Sequence, residues 1–266
     1  MVDEQYKFIV VTREDQVATV TLNRPEVFNC MSPELMDELT LALSSIAKDE
    51  DVRCVVITGA GEAFCSGGDV ELDVATMSKM THFECREYSR KFSEPINLIY
   101  SMEKPVIAAV NGIAGGGGLD LALACDIRIA SESAKFGMYY VRMGLIPGIC
   151  GNYLLPRLVG LGRAKLMAFT GDIIDAKKAE HFGLVDILVP ESAFASAVQS
   201  LAQKLAKGPT KAIAMTKVAM HRSQHMDMET SQDYSRNLEI LMIQTEDHRE
   251  GFQAFLEKRK AVFKGK

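Results

Sequence analysis

Gly112-Ile113-Ala114-Gly115-Gly116-Gly117-Gly118-Leu119-Asp120 is the stretch from which fold and chemistry are both read. It follows an apolar, strand-like run from Pro105 to Val110 and leads into the helix-like Leu121-Ala122-Leu123-Ala124-Cys125. Side-chain-free backbone at a strand-to-helix turn brings N–H groups against a ligand oxygen. Asp120 comes two residues after the last glycine, in the first turn of that helix, beside whatever the amides hold. Oxyanion donors next to an acid or base are parts of an enzyme. A dinucleotide fingerprint is a poor match. It needs GxGxxG and an acidic residue about 20 positions on, whereas here the spacing is Gly112-x-x-Gly115 and position 140 is Tyr.

Outward from this run, strand and helix signals alternate from the start to about residue 190. Val17 to Leu22 alternates with period two and reads as a strand. Ser32-Pro33-Glu34 reads as an N-cap with Pro at the first helical position, and Leu35, Met36, Leu39, Leu43 and Ile46 follow at helical spacing. Cys54 to Thr58 is continuously apolar, as expected of a strand buried on both faces. Ile127 to Ala130 reads as another strand. Such units imply an α/β fold with a mostly parallel sheet and right-handed crossovers. From about residue 191 the strand signals stop, and Ala193 to Phe263 reads as helical with one break at Gly208-Pro209-Thr210.

A second glycine turn, Ala63-Phe64-Cys65-Ser66-Gly67-Gly68-Asp69, follows the buried strand Cys54 to Thr58. Two such turns can each donate one N–H to the same oxygen. Losing one donor of such a hole costs on the order of 3 kcal/mol of transition-state stabilisation. Asp69 reads as a helix cap and Asp126 as a structural acid.

Composition narrows the partners. The chain has 266 residues, enough for a sizeable core, and its net charge of −5 argues against nucleic acid or an anionic membrane as the main partner. No apolar run approaches the ~18 residues of a bilayer span. The start, Met1-Val2-Asp3-Glu4, is acidic and has no signal-peptide character, which points to the cytoplasm. The six cysteines, Cys30, Cys54, Cys65, Cys85, Cys125 and Cys150, form no CxxC pair and read as reduced structural thiols. His221 and His225 are four apart, but Arg222 stands where a zincin motif needs Glu. No metal site is expected, and the two histidines read as polar-face residues.

The paired turns resemble the enoyl-CoA hydratase/isomerase (crotonase) family. Gly61 to Asp69 is similar to its first oxyanion segment, and Lys104 to Gly112, continuing through Asp126, to its second. Phe136-Gly137, Gly144 to Gly148, Thr170-Gly171-Asp172, Ala176 to Val185 and Thr245 to Phe263 extend the resemblance in order. It implies a spiral of ββα units with a helical C-terminal region. Residues 1–190 would form the core carrying the CoA and catalytic sites, and residues 191–266 a helical oligomerisation region. The resemblance also implies an acyl-CoA thioester substrate, no cofactor beyond the CoA that the substrate carries, and a homotrimer or dimer of trimers.

By motif position, the amides of Ser66 and Gly117 would hold the thioester oxygen as it becomes an enolate. Ala63, Ser66, Gly67, Gly68, Asp69, Val70, Gly116 and Gly117 would contact the acyl-CoA, with Phe255 and Lys258 reaching the CoA of a neighbouring subunit. Hydratases of the family use two glutamates, which fall here at Asp120 and Tyr140. A phenol with an ordinary pKa near 10 is no carboxylate base, but it can donate a proton or a hydrogen bond. Asp at position 120 resembles the dienoyl-CoA isomerases, yet their Glu at the Tyr140 position and their Asp at the Gly148 position are missing. The missing Asp also argues against the covalent chemistry of the family's dehalogenases. The resulting expectation is a hydratase of an enoyl- or dienoyl-CoA, a conjugated or cyclic dienoyl-CoA included, with Asp120 and Tyr140 as the acid/base pair. The alternatives are a double-bond isomerase using Asp120 alone and a non-catalytic acyl-CoA-binding protein. In the stretch Asp69–Ser101, His82, Glu84 and Glu87 are available, and Glu84 or Glu87 could replace the missing carboxylate.

Overall fold

Three buried strands, Cys54–Gly59, Val106–Val110 and Ile127–Ser131, are each followed by a second, short strand before the next helix, and this doubling sets where the glycine turns fall. A computed structural model describes residues 6–266; the acidic Met1–Glu4 start lies outside them. In chain order the elements begin with β1 (Ile9–Glu14), β2 (Val17–Leu22), α1 (Pro33–Lys48), β3 (Cys54–Gly59), β4 (Ala63–Cys65), α2 (Val70–Met77) and α3 (His82–Ser101). Then come β5 (Val106–Val110), β6 (Ile113–Gly115), α4 (Gly117–Ala124), β7 (Ile127–Ser131), β8 (Lys135–Gly137), α5 (Gly151–Val159) and α6 (Leu161–Thr170). β9 (Ile173–Asp175), α7 (Ala176–Phe182) and β10 (Ile187–Val189) close the spiral. Four helices follow: α8 (Phe194–Ala206), α9 (Thr210–Ser223), α10 (Met228–Ile243) and α11 (Glu246–Leu256).

The larger sheet has the order β1-β2-β3-β5-β7-β10 and is parallel except for the β1–β2 hairpin. That hairpin turns on Asp15 and Gln16, both at positive φ, as a two-residue loop requires. One face of the sheet meets α1 and α3 in the main core. The other buries Val17, Cys54, Val56, Ile107, Ala109 and Ile129 against Ala202 and Ala206 of α8. Covering both faces explains why β3 is apolar from Cys54 to Ile57 and β5 throughout. At the head of α1, Ser32 Oγ accepts from the Leu35 N–H at 3.3 Å, the expected cap.

The smaller sheet, β4-β6-β8-β9, corrects the reading of the glycine run. Gly112 to Asp120 is not one turn. Ile113–Gly115 is a strand of its own, and α4 starts at Gly117, three residues before Asp120. A three-residue strand is too short to show a period in sequence. The helical tail also breaks more often than read. Besides the Gly208–Pro209 break, new starts come at α10, capped by Asp227, and at α11, capped by Thr245.

Asp126 is structural, as expected. It accepts from the Val106 N–H at 2.7 Å and pairs with the buried Lys217 at 2.8 Å. The two histidines are not simply polar-face residues. His221 stacks on Tyr100 with ring centroids 4.0 Å apart, and His225 shares a hydrogen bond with the Tyr153 hydroxyl. All six cysteines are free thiols. Among the described residues no helix is long and apolar enough to cross a membrane.

Candidate active site

Two backbone turns meet at the upper end of β4 and β6. In the first, Gly67 takes φ +111°, a conformation open to glycine, and a Cβ there would lie 2.9 Å from the Gly115 carbonyl oxygen. The same Cβ would be 3.5 Å from the Gly117 nitrogen, so the two turns touch. The Ser66 N–H, expected as the first oxyanion donor, is already engaged: it donates to the Phe28 carbonyl at 3.0 Å. The Gly67 carbonyl accepts from the Met31 N–H at 2.7 Å. Since C=O and N–H of one trans peptide point in opposite directions, this bond aims the Gly68 N–H away from Met31. In the second turn the Gly116 carbonyl accepts from the Leu119 and Asp120 amides at 3.0 and 3.1 Å. By the same reasoning the Gly117 N–H points out of the start of α4. Among the described residues neither the Gly68 nor the Gly117 N–H has a protein acceptor.

Tyr139 braces the junction. Its hydroxyl donates to the Ser66 carbonyl, and its ring fills the space over Gly115, leaving no room there for a Cβ. Burial pushes its pKa up to about 12, so it remains a donor at neutral pH.

Beside the second turn stands the acid/base corner. Asp120 is fully buried. The Tyr140 hydroxyl lies 2.6 Å from Oδ2, and the Cys150 N–H donates to Oδ1 at 3.2 Å. The Cys150 thiol adds contacts at 3.5 Å to Oδ1 and 3.2 Å to the Asp120 carbonyl. The carboxyl therefore sits at the start of α5, where unpaired amides favour negative charge. Burial nevertheless dominates and raises the Asp120 pKa; the hydrogen bonds from Tyr140, Cys150 and Gly151 offset only part of it. Tyr140 is raised far above the usual phenol range, by burial first and then by the Asp120 charge. Burial and Asp120 likewise raise Cys150. Tyr140 is only half-buried, so it is the outward-facing member of the pair. A Cβ on Gly117 would lie 3.6 Å from its hydroxyl, 3.0 Å from Met31 Sδ and 3.7 Å from Ile149 Cδ1. The second turn thus has a hydroxyl and an apolar wall at hand.

The remaining expected residues fall as follows. Asp69 caps α2, accepting from the Leu72 N–H at 3.4 Å, and also pairs with Arg24 at 3.2 Å. Val70 is exposed, and the Gly116 N–H is bonded to the Gly137 carbonyl at 2.9 Å. Ala63 is buried with its carbonyl held by Asn29 and Asn111, which removes it from the ligand surface. Phe255 and Lys258 stand exposed at the end of α11. Glu84 closes a capping box with Thr81, and Glu87 pairs with Arg90 at 2.7 Å. Both are exposed and already have these partners, so neither replaces the missing carboxylate. Reading the sequence missed Met31 and the adjacent Ile149 and Cys150, which reach the corner from two separate segments. It also missed Asp73, whose Oδ2 would lie 2.8 Å from a Cβ on Gly68.

The sequence matches the enoyl-CoA hydratase/isomerase family over residues 12–266. The chain belongs to that family. It is 37% identical over 259 residues to a crotonyl-CoA hydratase of Syntrophomonas wolfei, covering 97% of this chain and 98% of the relative. It is 40% identical over 252 residues to an (E)-benzylidenesuccinyl-CoA hydratase of Thauera aromatica, covering 94% and 96%. The crystal structure of an enoyl-CoA hydratase from Bacillus anthracis superposes with a TM-score of 0.92 at 36% identity, covering 98% of this chain and 100% of that one. The fold is accordingly the crotonase fold.

Proposed function

We propose that this protein is a hydratase adding water across, or removing it from, the C2–C3 double bond of an enoyl- or dienoyl-CoA thioester. One observation carries the reading: two backbone N–H groups, Gly68 and Gly117, that have no acceptor among the described residues lie on turns in contact, with the Asp120–Tyr140 pair beside the second. The thioester oxygen would rest on these amides and gain negative charge only as the enolate forms. Their stabilisation is then differential, which is what accelerates a reaction. Gly68 takes the place of Ser66 in this scheme because the Ser66 amide is engaged by Phe28.

Asp120, sealed from solvent, acts through Tyr140. As the enolate collapses, Tyr140 gives its proton to C2 and takes another from Asp120 across the 2.6 Å contact. The raised pKa of Asp120 suits a carboxylic acid that holds a proton for this step. Ser66, Gly67, Asp69, Val70 and Gly116 would line the path of the CoA, with Phe255 and Lys258 of a neighbouring copy.

A homotrimer or dimer of trimers built through residues 191–266 is supported by α10, which buries none of its residues within one chain, and by the exposed Ile240, Leu241, Ile243, Phe252 and Leu256. No cofactor is proposed beyond the CoA of the substrate, and the free thiols support a cytoplasmic setting. The test is an assay across straight-chain, cyclic and conjugated enoyl- and dienoyl-CoAs. Water addition to at least one is expected, and addition to none overturns the reading. Double-bond isomerisation is the second reading, favoured by the single proton-holding unit at Asp120–Tyr140, since a suprafacial shift requires no second carboxylate.

A further inference from the structure

The hydratase reading leaves one chemical need unmet. Water must lose a proton as its oxygen bonds to C3, and Asp120, with both oxygens occupied, serves C2. We propose that Asp73, held by Tyr88, is the second catalytic carboxylate and takes that proton. The inference rests on the hydratase reading above and deepens it.

Asp73 lies on α2, one turn beyond the first oxyanion turn. The Asp73 N–H donates to the Asp69 carbonyl at 2.7 Å, which ties its backbone to that turn. The side chain folds back over it, and its Oδ2 would lie 2.8 Å from a Cβ on Gly68, the residue whose N–H faces the thioester oxygen. Tyr88 of α3 donates to Oδ1 at 2.7 Å and fixes the carboxyl plane. Among the described residues Oδ2 accepts no hydrogen bond, and Asp73 is half-buried rather than sealed. One carboxylate oxygen is thus anchored while the other is open to a water. Among the described residues Asp73 has no cation partner. Its pKa is raised, mainly by burial, which places a base closer to neutral pH than a solvated Asp. The Tyr88 hydroxyl hydrogen-bonds the ionised form and so counters part of that rise.

The step balances. A water proton passes to Asp73 Oδ2 as the water oxygen bonds to C3. The C2–C3 π pair moves to place negative charge on the thioester oxygen at Gly68 and Gly117. The enolate then takes its C2 proton from Tyr140, which is refilled from Asp120. Asp73 ends protonated and Asp120 ionised, and exchange with solvent water resets both.

Two reactions separate this inference from the reading it rests on. Exchange of the C2 protons of a saturated acyl-CoA in heavy water uses the amides and Asp120–Tyr140 but no attacking water. In the wild type both exchange and hydration are expected; failure of both overturns the hydratase reading itself. In Asp73→Asn, hydration is expected to fall about 100-fold in kcat with KM within about threefold, while exchange falls no more than about threefold. Hydration within threefold of wild type, or an equal loss of both reactions, overturns the role of Asp73. Added formate should restore at least about tenfold of the hydration rate to Asp73→Ala, and absence of rescue counts against the role. Tyr88→Phe keeps the carboxylate but removes the bond that favours its ionised form. The acid limb of its hydration profile should move to higher pH, and an unmoved limb contradicts the assignment.

Discussion

Among the described residues two aspartate–tyrosine pairs stand beside the glycine turns, one near each, and they differ in access. Asp120 and Tyr140 are 2.6 Å apart, and Asp73 and Tyr88 are 2.7 Å apart. Asp120 is fully buried with both oxygens engaged, whereas Asp73 is half-open with one oxygen free. A sealed carboxyl meets a substrate only through its partner, so the Tyr140 hydroxyl is the reacting surface of the first pair. An open carboxyl reacts directly, and in the second pair the tyrosine only holds it. The same two residue types thus serve as a proton donor through a relay and as a base in contact with water. Burial decides which is which.

The largest effect that would sharpen this contrast is Asp120→Asn. Hydration should fall about 1000-fold in kcat, read from loss of the conjugated thioester absorbance. Stability should move the other way. Burial raises the folded-state pKa of Asp120 above its unfolded value, so the folded chain binds a proton more tightly than the unfolded one. That group's contribution is fully present below the ordinary carboxylate pKa of about 3.9 and is lost as pH rises through the raised value. Asp120→Asn should therefore melt no lower than wild type at pH 7, and this advantage should vanish near pH 4. A variant that melts well below wild type at pH 7 would break the account of a carboxyl held against its desolvation.

Tyr140→Phe comes next, with about a 100-fold loss in kcat, because Asp120 keeps its proton but loses its outlet. Removing the Tyr140 hydrogen bond also takes away the leading influence that lowers the Asp120 pKa, so the alkaline limb of hydration should shift upward. Wild-type activity in this variant would mean that Asp120 reaches the substrate without a relay. The smallest effect is expected for Cys150→Ala. The thiol adds only long contacts to Asp120, and the Cys150 N–H that donates to Oδ1 survives the change. A loss of no more than about threefold is expected in steady-state kinetics; a 100-fold loss would make the thiol a member of the site.

How much of this was legible in sequence follows the same division. The turns are backbone devices written in consecutive glycines, so Gly112–Gly118 and Ser66–Gly68 stood out, and the parallel core followed from runs such as Cys54–Thr58. The donor on the first turn was misassigned to Ser66 because peptide orientation depends on Phe28 and Met31, which come from a distant loop. Asp120 and Tyr140 were legible from motif position. Their hydrogen bond and the sealing of Asp120 were not, because these depend on α5 delivering Cys150 and Gly151. Asp73 gave no signal: an aspartate three residues into a helix reads as an ordinary first-turn acid, and only the fold shows it turned back over Gly68. Glu84 and Glu87 looked equally available, yet a capping box and a surface ion pair hold them elsewhere.

The most direct test of the central claim is the fate of oxygen. Purified protein is given a conjugated enoyl-CoA in heavy-oxygen water, and the product is weighed by mass spectrometry. The account predicts a hydroxyacyl-CoA carrying one solvent oxygen on its acyl chain. A product with a shifted double bond and no solvent oxygen would contradict it and make the protein an isomerase.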